Sequence, residues 1–142
     1  MRGLPTFKGV MYVGLSVRDV RRSAAWYEQV MGFEREYENI GGSRWKAAWD
    51  EVLLRHPDSG LLLGLLHHPR NTGAPFSEFR TGLDHLEFEV ESPEALDAWR
   101  GRLDEFGIEH SGNRPHIVTF RDRDNIQLEF FYRVPQRPGS AA

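Results

Sequence analysis

An internal repeat constrains the fold of this chain more than any other feature of its sequence. Residues 12–17 can be laid over residues 85–90 without a gap, and the same offset aligns Trp26 with Trp99. A repeat on this scale indicates two copies of one supersecondary unit. The sequence therefore predicts a duplicated fold, with each copy folding in the same order.

Each copy begins with the pattern of a strand that leads into a helix. Apolar residues alternate along both strands, as expected for a half-buried strand, at Val13, Leu15 and Val17 and at Leu86, Phe88 and Val90. Asp19 and Ser92 are good N-caps for the helices that follow. Gly32 and Gly107 stand where those helices should end.

Each copy closes on a turn that leads into a last strand. Residues 57–65 align with residues 123–130 when one residue is inserted in the first copy. Both stretches begin with turn-forming residues. The turn and its two flanking strands form a hairpin, and one further strand is expected between the helix and this hairpin in each copy, around residues 44–49 and around residues 117–121. Each copy is therefore predicted to be a βαβββ unit.

The predicted organisation is a single domain over residues 1–135. Its parts are a first unit over about 9–66, a linker over about 67–82, a second unit over about 83–132 and a loose tail over 136–142. Each unit buries one face of its sheet under its own helix. The other, polar faces must then meet, so we expect an α+β fold in which two curled mixed sheets form a cup with the helices outside. A cup of this kind is a typical small-molecule site.

Composition excludes several classes of function. The net charge is −3 with no basic block, which argues against nucleic acid as a partner. The longest apolar run, residues 61–66, is too short to span a bilayer. The chain has no cysteine, so disulfides and cysteine-based metal sites are absent. We therefore expect a cytoplasmic protein with a small molecule as its partner.

Three motifs, in order along the chain, resemble a known superfamily. They are residues 13–33, with Val-Gly-Leu-Ser-Val-Arg-Asp-Val at their start, residues 82–88, Gly-Leu-Asp-His-Leu-Glu-Phe, and residues 120–129. Together they are similar to the vicinal oxygen chelate superfamily of glyoxalases, bleomycin-resistance proteins and extradiol dioxygenases. The resemblance covers about residues 9–132 and implies the glyoxalase/bleomycin-resistance/dioxygenase fold.

The resemblance also implies a divalent metal ion that chelates two neighbouring substrate oxygens. The four positions that supply its ligands in the superfamily correspond to Tyr12, Gly64, His85 and Glu129. His85 and Glu129 match the expected ligands and suit Zn, Ni, Mn or Fe. Tyr12 stands where histidine is usual, and Gly64 stands where four-ligand members have glutamate. An alternative reading makes His85 and Glu129 a structural hydrogen-bonded pair without a metal.

Candidate catalytic groups follow from the same face of the predicted strands. Glu129 is the carboxylate of the closing strand, and Glu87 or Tyr12 could transfer a proton. Glu87 and Glu89 share strand parity with His85, so the cup should be acidic. The alternative is that one or both of these glutamates lie at a solvent-exposed rim.

Candidate ligand-binding residues are two tryptophans and two histidines. Trp45 and Trp49 share strand parity and could form an aromatic wall, or they could pack in the core. His68 and His116 could reach the rim of the cup, or they could be ordinary surface histidines.

Three functions remain open on the sequence. The first is a metal-assisted isomerase, lyase or dioxygenase acting on a small oxygenated substrate, and the second is a metal-free drug- or metabolite-sequestering protein of the bleomycin-resistance type. The third is metal-free acid–base catalysis by His85 and Glu129. The resemblance implies a homodimer, and the sequence leaves open whether one chain or two form the cup.

Overall fold

The computed structural model describes residues 3–41, 49–136 and 139. The chain forms two compact units, Met1–Ala74 and Pro75–Ala142. The fold is α+β, with a four-stranded and a three-stranded sheet and one helix in each unit. The α+β fold class predicted from the sequence is confirmed, but the second sheet has three strands and not the four of a βαβββ unit.

The first unit contains one helix and four strands, in the order βαβββ. They are β1 (Tyr12–Ser16), α1 (Val20–Met31), β2 (Glu34–Asn39), β3 (Asp50–Arg55) and β4 (Leu62–His67). The strands lie in the order β1-β4-β3-β2, and β1 runs parallel to β4 while the other pairs are antiparallel. In this register Gly14 lies beside Gly64.

Helix α1 begins and ends where the sequence predicts. The Asp19 carboxylate accepts a hydrogen bond from the backbone N–H of Arg22 at 3.0 Å, which satisfies one of the free donors of the first turn. Gly32 ends the helix with φ at 76°, a left-handed conformation that glycine adopts without steric cost. The helix packs on β3 and β4, and its buried residues include Val20, Ala24, Tyr27 and Val30.

The second unit contains one helix and three strands. They are β5 (His85–Val90), α2 (Pro93–Glu105), β6 (Ile117–Arg121) and β7 (Gln127–Tyr132). The strands lie in the order β5-β7-β6, with β5 parallel to β7 and β6 antiparallel to it. In this register Glu87 lies beside Glu129.

Helix α2 covers the apolar face of the second sheet. The Ser92 hydroxyl accepts from the backbone N–H of Ala95 at 3.1 Å, and Pro93 occupies the first turn, as the sequence indicates. The ring of Trp99 stacks on Phe130 of β7, with 4.1 Å between centroids. The odd-numbered residues of β5 and β7 are therefore left on the opposite face.

The strand expected around residues 117–121 is confirmed as β6, whereas other parts of the strand pattern were not predicted. The strand expected around residues 44–49 falls almost wholly on residues 42–48, outside the described part of the chain, and it stays a prediction. Strand β2 at Glu34–Asn39 was not predicted. Strand β2 is mostly charged and exposed, so it lacks the apolar alternation by which a strand is recognised. In the second unit α2 is followed by two strands, and before them residues 106–116 contribute one isolated bridge, from His110 to Phe120.

Neither helix in the described ranges has the length and apolar character needed to cross a membrane.

Candidate metal centre

Three side chains with metal-binding atoms converge on the polar face of the second sheet. They belong to His85, Glu87 and Glu129, and one ligand atom from each lies within 4.8 Å of the other two. His85 Nε2 is 3.5 Å from Glu129 Oε2 and 3.7 Å from Glu87 Oε2. The structure thus brings together His85 and Glu129, the two residues that the sequence nominates as metal ligands, and adds Glu87 to them.

Strand geometry explains why these side chains meet. His85 and Glu87 are alternate residues of β5, so they project from the same face. Strand β7 pairs with β5 in parallel, and the register sets Glu129 beside Glu87. A shift of the register by one residue would turn Glu129 toward α2 and dismantle the group.

The carboxylate of Glu129 is held by its neighbours at one oxygen. Gln127 Nε2 donates to Glu129 Oε1 at 2.8 Å, and Thr119 Oγ1 donates to the same oxygen at 3.4 Å. The other oxygen, Oε2, faces the imidazole of His85. The Glu129 side chain is only 10% exposed, so these contacts fix its orientation in a partly dehydrated place.

The imidazole of His85 is held at its other nitrogen. Its Nδ1 lies 2.6 Å from Asp84 Oδ1, a short charge-assisted hydrogen bond. This bond raises the pKa of His85; burial opposes the rise, and the carboxylate of Glu129 adds to it. With its Nδ1–H donated to Asp84, a neutral His85 presents the lone pair of Nε2 toward Glu87 and Glu129.

Glu87 and Glu89 share one strand face but have different surroundings. Arg133 donates to both oxygens of Glu89, at 2.8 and 3.2 Å. No Arg or Lys within the described ranges forms an ion pair with Glu87, whose carboxylate is instead directed to His85. Of the two glutamates, Glu87 alone belongs to the convergent group.

The convergent group suits a divalent metal chemically. It offers one imidazole nitrogen and two carboxylate oxygens, a donor set compatible with Mn, Fe, Zn or Ni. Asp84 behind the imidazole and Gln127 behind Glu129 are the kind of outer contacts that orient metal ligands. The residues present therefore fit such an ion.

A polar groove on the second unit reaches the same carboxylate. Its volume is about 760 Å³, and its lining includes Glu129, Gln127, Thr119, Ser111 and Arg114. A small hydrogen-bonding molecule can therefore approach Glu129 from the groove.

In the first unit Tyr12 covers the corresponding positions. A Cβ added at Gly64 would lie far inside contact distance of the Tyr12 hydroxyl, and one added at Gly14 would lie 3.2 Å from Tyr12 Cε1. The hydroxyl donates to Glu51 Oε1 at 3.1 Å. Burial, together with the charge and hydrogen bond of Glu51, raises the pKa of Tyr12 to about 12. At neutral pH Tyr12 is therefore a neutral donor.

The candidate ligand-binding residues fall into separate places. Trp49 and His68 lie in the first unit with their ring centroids 5.8 Å apart, whereas Trp45 lies outside the described residues. His116 precedes β6 with φ at 67° and stacks on Tyr132 at 6.0 Å. Neither His68 nor His116 belongs to the convergent group, so both stay predictions as ligand-binding residues.

Three residues that support the group were not predicted from the sequence. Asp84 precedes His85 in the second motif, Gln127 shares strand parity with Glu129, and Thr119 is its partner on β6. Parity alone could have placed Gln127 on the same face. The pairing of Thr119 with Glu129 needed the register between two strands.

A family model and a similar solved structure point to the same superfamily. The model of the Glyoxalase/Bleomycin resistance protein/Dioxygenase superfamily matches residues 9–130. A glyoxylase/bleomycin resistance protein/dioxygenase domain from Frankia sp. EAN1pec is 32% identical, with a TM-score of 0.78 and coverage of 95% of this chain and 96% of that one. No curated protein matches the chain.

More distant solved structures share the fold. The fosfomycin resistance protein FosX from Listeria monocytogenes is 20% identical, with a TM-score of 0.68 and coverage of 91% of this chain and 94% of that one. A mutant of the same protein, in complex with Mn(II) and 1S,2S-dihydroxypropylphosphonic acid, is also 20% identical, with a TM-score of 0.65 and coverage of 89% and 93%.

Proposed function

Because the chain belongs to the Glyoxalase/Bleomycin resistance protein/Dioxygenase superfamily, we propose that it binds a divalent metal ion through His85 and Glu129. At this site it would act on a small oxygenated molecule, as an isomerase, lyase or dioxygenase. The observation that carries the proposal is the approach of His85 Nε2 to Glu129 Oε2, at 3.5 Å.

Preorganisation of the two side chains supports the proposal. Asp84 holds the far nitrogen of His85, and Gln127 holds the far oxygen of Glu129. Each residue is thereby left with one directed donor atom, and both atoms face the same space. A site prepared in this way loses little side-chain entropy when it takes up a ligand.

The metal would supply Lewis-acid polarisation of a substrate oxygen. His85 and Glu129 hold the ion in this proposal, and the groove beside Glu129 admits the substrate. The hydroxyls of Thr119 and Ser111 can accept hydrogen bonds from a polar molecule there, and the Arg114 guanidinium can donate them. These contacts favour a small, oxygen-rich substrate over an apolar one. Mn(II) is the first ion to test, because it is present in a structure of the same fold.

A competing function is metal-free binding of a small molecule. The raised pKa of His85 favours it, because a protonated imidazole would pair with Asp84 and Glu129 without any metal. His85 and Glu129 would then be polar anchors in a sequestering protein.

Metal titration of protein purified without a metal-affinity tag separates the two functions. We expect Mn(II) to bind at one site per chain, and His85→Ala and Glu129→Gln each to lower its affinity at least about 10-fold. At a free Mn(II) concentration of about 100 times Kd, the free energy of unfolding should rise by about 2.7 kcal/mol. His56→Ala is the control, since it removes a histidine that lies outside the group and is not among the candidate ligand-binding residues.

The opposite result would select the metal-free function. If Mn(II), Zn(II), Ni(II) and Fe(II) all leave the melting temperature of the wild type unchanged, the proposed metal site does not exist. If the ions bind but His56→Ala lowers their affinity as much as His85→Ala does, binding takes place elsewhere.

We also propose that the chain forms a homodimer, as the family resemblance implies. Size-exclusion chromatography with light scattering should give twice the mass of the chain. A monomer at working concentrations would contradict this.

A further inference from the structure

We infer that Glu87 is the third protein ligand of the metal, so that the second unit alone supplies a complete donor set. The inference rests on the proposed function, because it takes His85 and Glu129 as ligands of the same ion. It removes the need for a ligand at position 12, where the superfamily usually has a histidine and this chain has Tyr12.

The first support is convergence. Glu87 Oε2 lies 3.7 Å from His85 Nε2, nearly the same distance as separates His85 from Glu129. The ligand atoms of all three residues lie within 4.8 Å of one another, so a small adjustment of the side chains would let all three contact one ion. The Glu87 side chain is 43% exposed, so it can adjust to an ion without disturbing the core.

The second support is charge. Asp84, Glu87 and Glu129 place three carboxylates around one imidazole. Within the described ranges, no Arg or Lys forms an ion pair with Glu87 or Glu129, while Asp84 also interacts electrostatically with Arg121. Like charges at this spacing repel, and a divalent cation between them would remove that repulsion. Glu89, two residues further along the same face, already has Arg133 as its partner.

The third support is the repeated register. Glu87 lies beside Glu129 on parallel strands, and in the first unit Gly14 lies beside Gly64 at the corresponding place. Both units therefore contain the same pair of neighbouring strand positions. The pair holds two glycines in the first unit and two carboxylates in the second. The donors that the first unit lacks are present in the second.

Mn(II) titration of four proteins tests the inference. The wild type is compared with Glu87→Gln, Glu89→Gln and His85→Ala, by calorimetry and by the loss of the free Mn(II) signal in electron paramagnetic resonance. Glu89→Gln is the matched control, because it makes the same change on the same strand face outside the group. We expect Glu87→Gln to weaken binding at least about 10-fold and Glu89→Gln to leave the affinity within about twofold.

Co(II) spectra add a readout that depends on the ligands themselves. Glu87→Gln should alter the d–d absorption of bound Co(II), since the donor set changes, while Glu89→Gln should leave it as in the wild type. Thermal melts of the metal-free variants show whether each one is folded. Should Glu87→Gln not fold, Glu87→Ala is the second variant, with Glu89→Ala as its control.

The outcomes separate the two proposals. If the wild type binds Mn(II), His85→Ala loses it and Glu87→Gln binds like Glu89→Gln, then Glu87 is not a ligand and the proposed function stands. If the wild type binds no divalent ion, both proposals fail.

Discussion

The two units of this chain present corresponding strand positions with different chemistry. Three positions correspond between the units, both by strand register and by the sequence repeat. In the first unit they hold Tyr12, Gly14 and Gly64. In the second unit they hold His85, Glu87 and Glu129. In the first unit one aromatic ring covers two glycines. In the second unit three polar side chains converge, and two of them are held by neighbours at the atom that faces away from the group.

The difference shows how a duplicated fold can concentrate a site in one copy. Filling Gly64 with any side chain would collide with the Tyr12 hydroxyl, so the tyrosine and the glycine depend on each other. Glu51 then accepts the hydrogen bond of that hydroxyl. The first unit therefore has no room for a metal-binding side chain at position 64, whereas the second unit carries the candidate donors.

The largest expected effect concerns Gly64. We expect Gly64→Ala to lower the free energy of unfolding by about 1–3 kcal/mol, the usual cost of overpacking, because its Cβ would displace the Tyr12 ring. In a Tyr12→Ala background the same substitution should cost much less. Urea unfolding of the two single variants and the double variant measures this coupling.

Gly101→Ala is the control for that experiment. Gly101 lies in α2 with open space around its Cα, so alanine there should stabilise the helix by about 1 kcal/mol or leave it unchanged. If Gly64→Ala were as harmless as Gly101→Ala, the Tyr12 ring would not occupy the place described.

The next effect concerns the residue behind the imidazole. Asp84→Asn should lower the affinity for Mn(II) by about 10-fold, because an outer contact that orients a metal-binding histidine is weakened. Calorimetric titration measures the change. Asp97→Asn is the control, since Asp97 is an exposed carboxylate of α2 that pairs with Arg100. Equal affinities in Asp84→Asn and the wild type would mean that the Nδ1 contact does not prepare the site.

The smallest effect concerns Tyr12 and pH. Tyr12→Phe should lower stability by about 1 kcal/mol, the usual contribution of one hydrogen bond. The pKa of Tyr12 is raised by folding, to about 12, so its contribution is present below the unfolded value of about 10 and is lost as pH rises toward 12. Melting temperatures of the wild type and Tyr12→Phe should therefore converge between about pH 10 and pH 12. If the difference in melting temperature stays constant across that range, the hydrogen bond of protonated Tyr12 is not its cause.

Much of the scaffold could be predicted because its signals are local. The alternation in residues 13–17 and 86–90 and the caps Asp19 and Ser92 each lie within a few residues of the structure they specify. Strand β2 could not be predicted in this way, because it is a charged edge strand that buries little on either face.

The site was predictable only in part. Parity placed His85, Glu87 and Glu89 on one face, but it could not separate the two glutamates. What separates them is Arg133, which pairs with Glu89 from 44 residues away. The sequence showed Tyr12 and Gly64 as two separate departures from the family pattern. The Tyr12 ring fills the space above Gly64 because β1 pairs with β4.

The most direct test of a metal site confined to the second unit is an anomalous-difference map from crystals grown with Mn(II). We predict one peak, bound by His85 Nε2 and by one carboxylate oxygen each of Glu87 and Glu129. A peak bound by Tyr12, or a peak beside His85 and Glu129 with Glu87 turned to solvent, would contradict it.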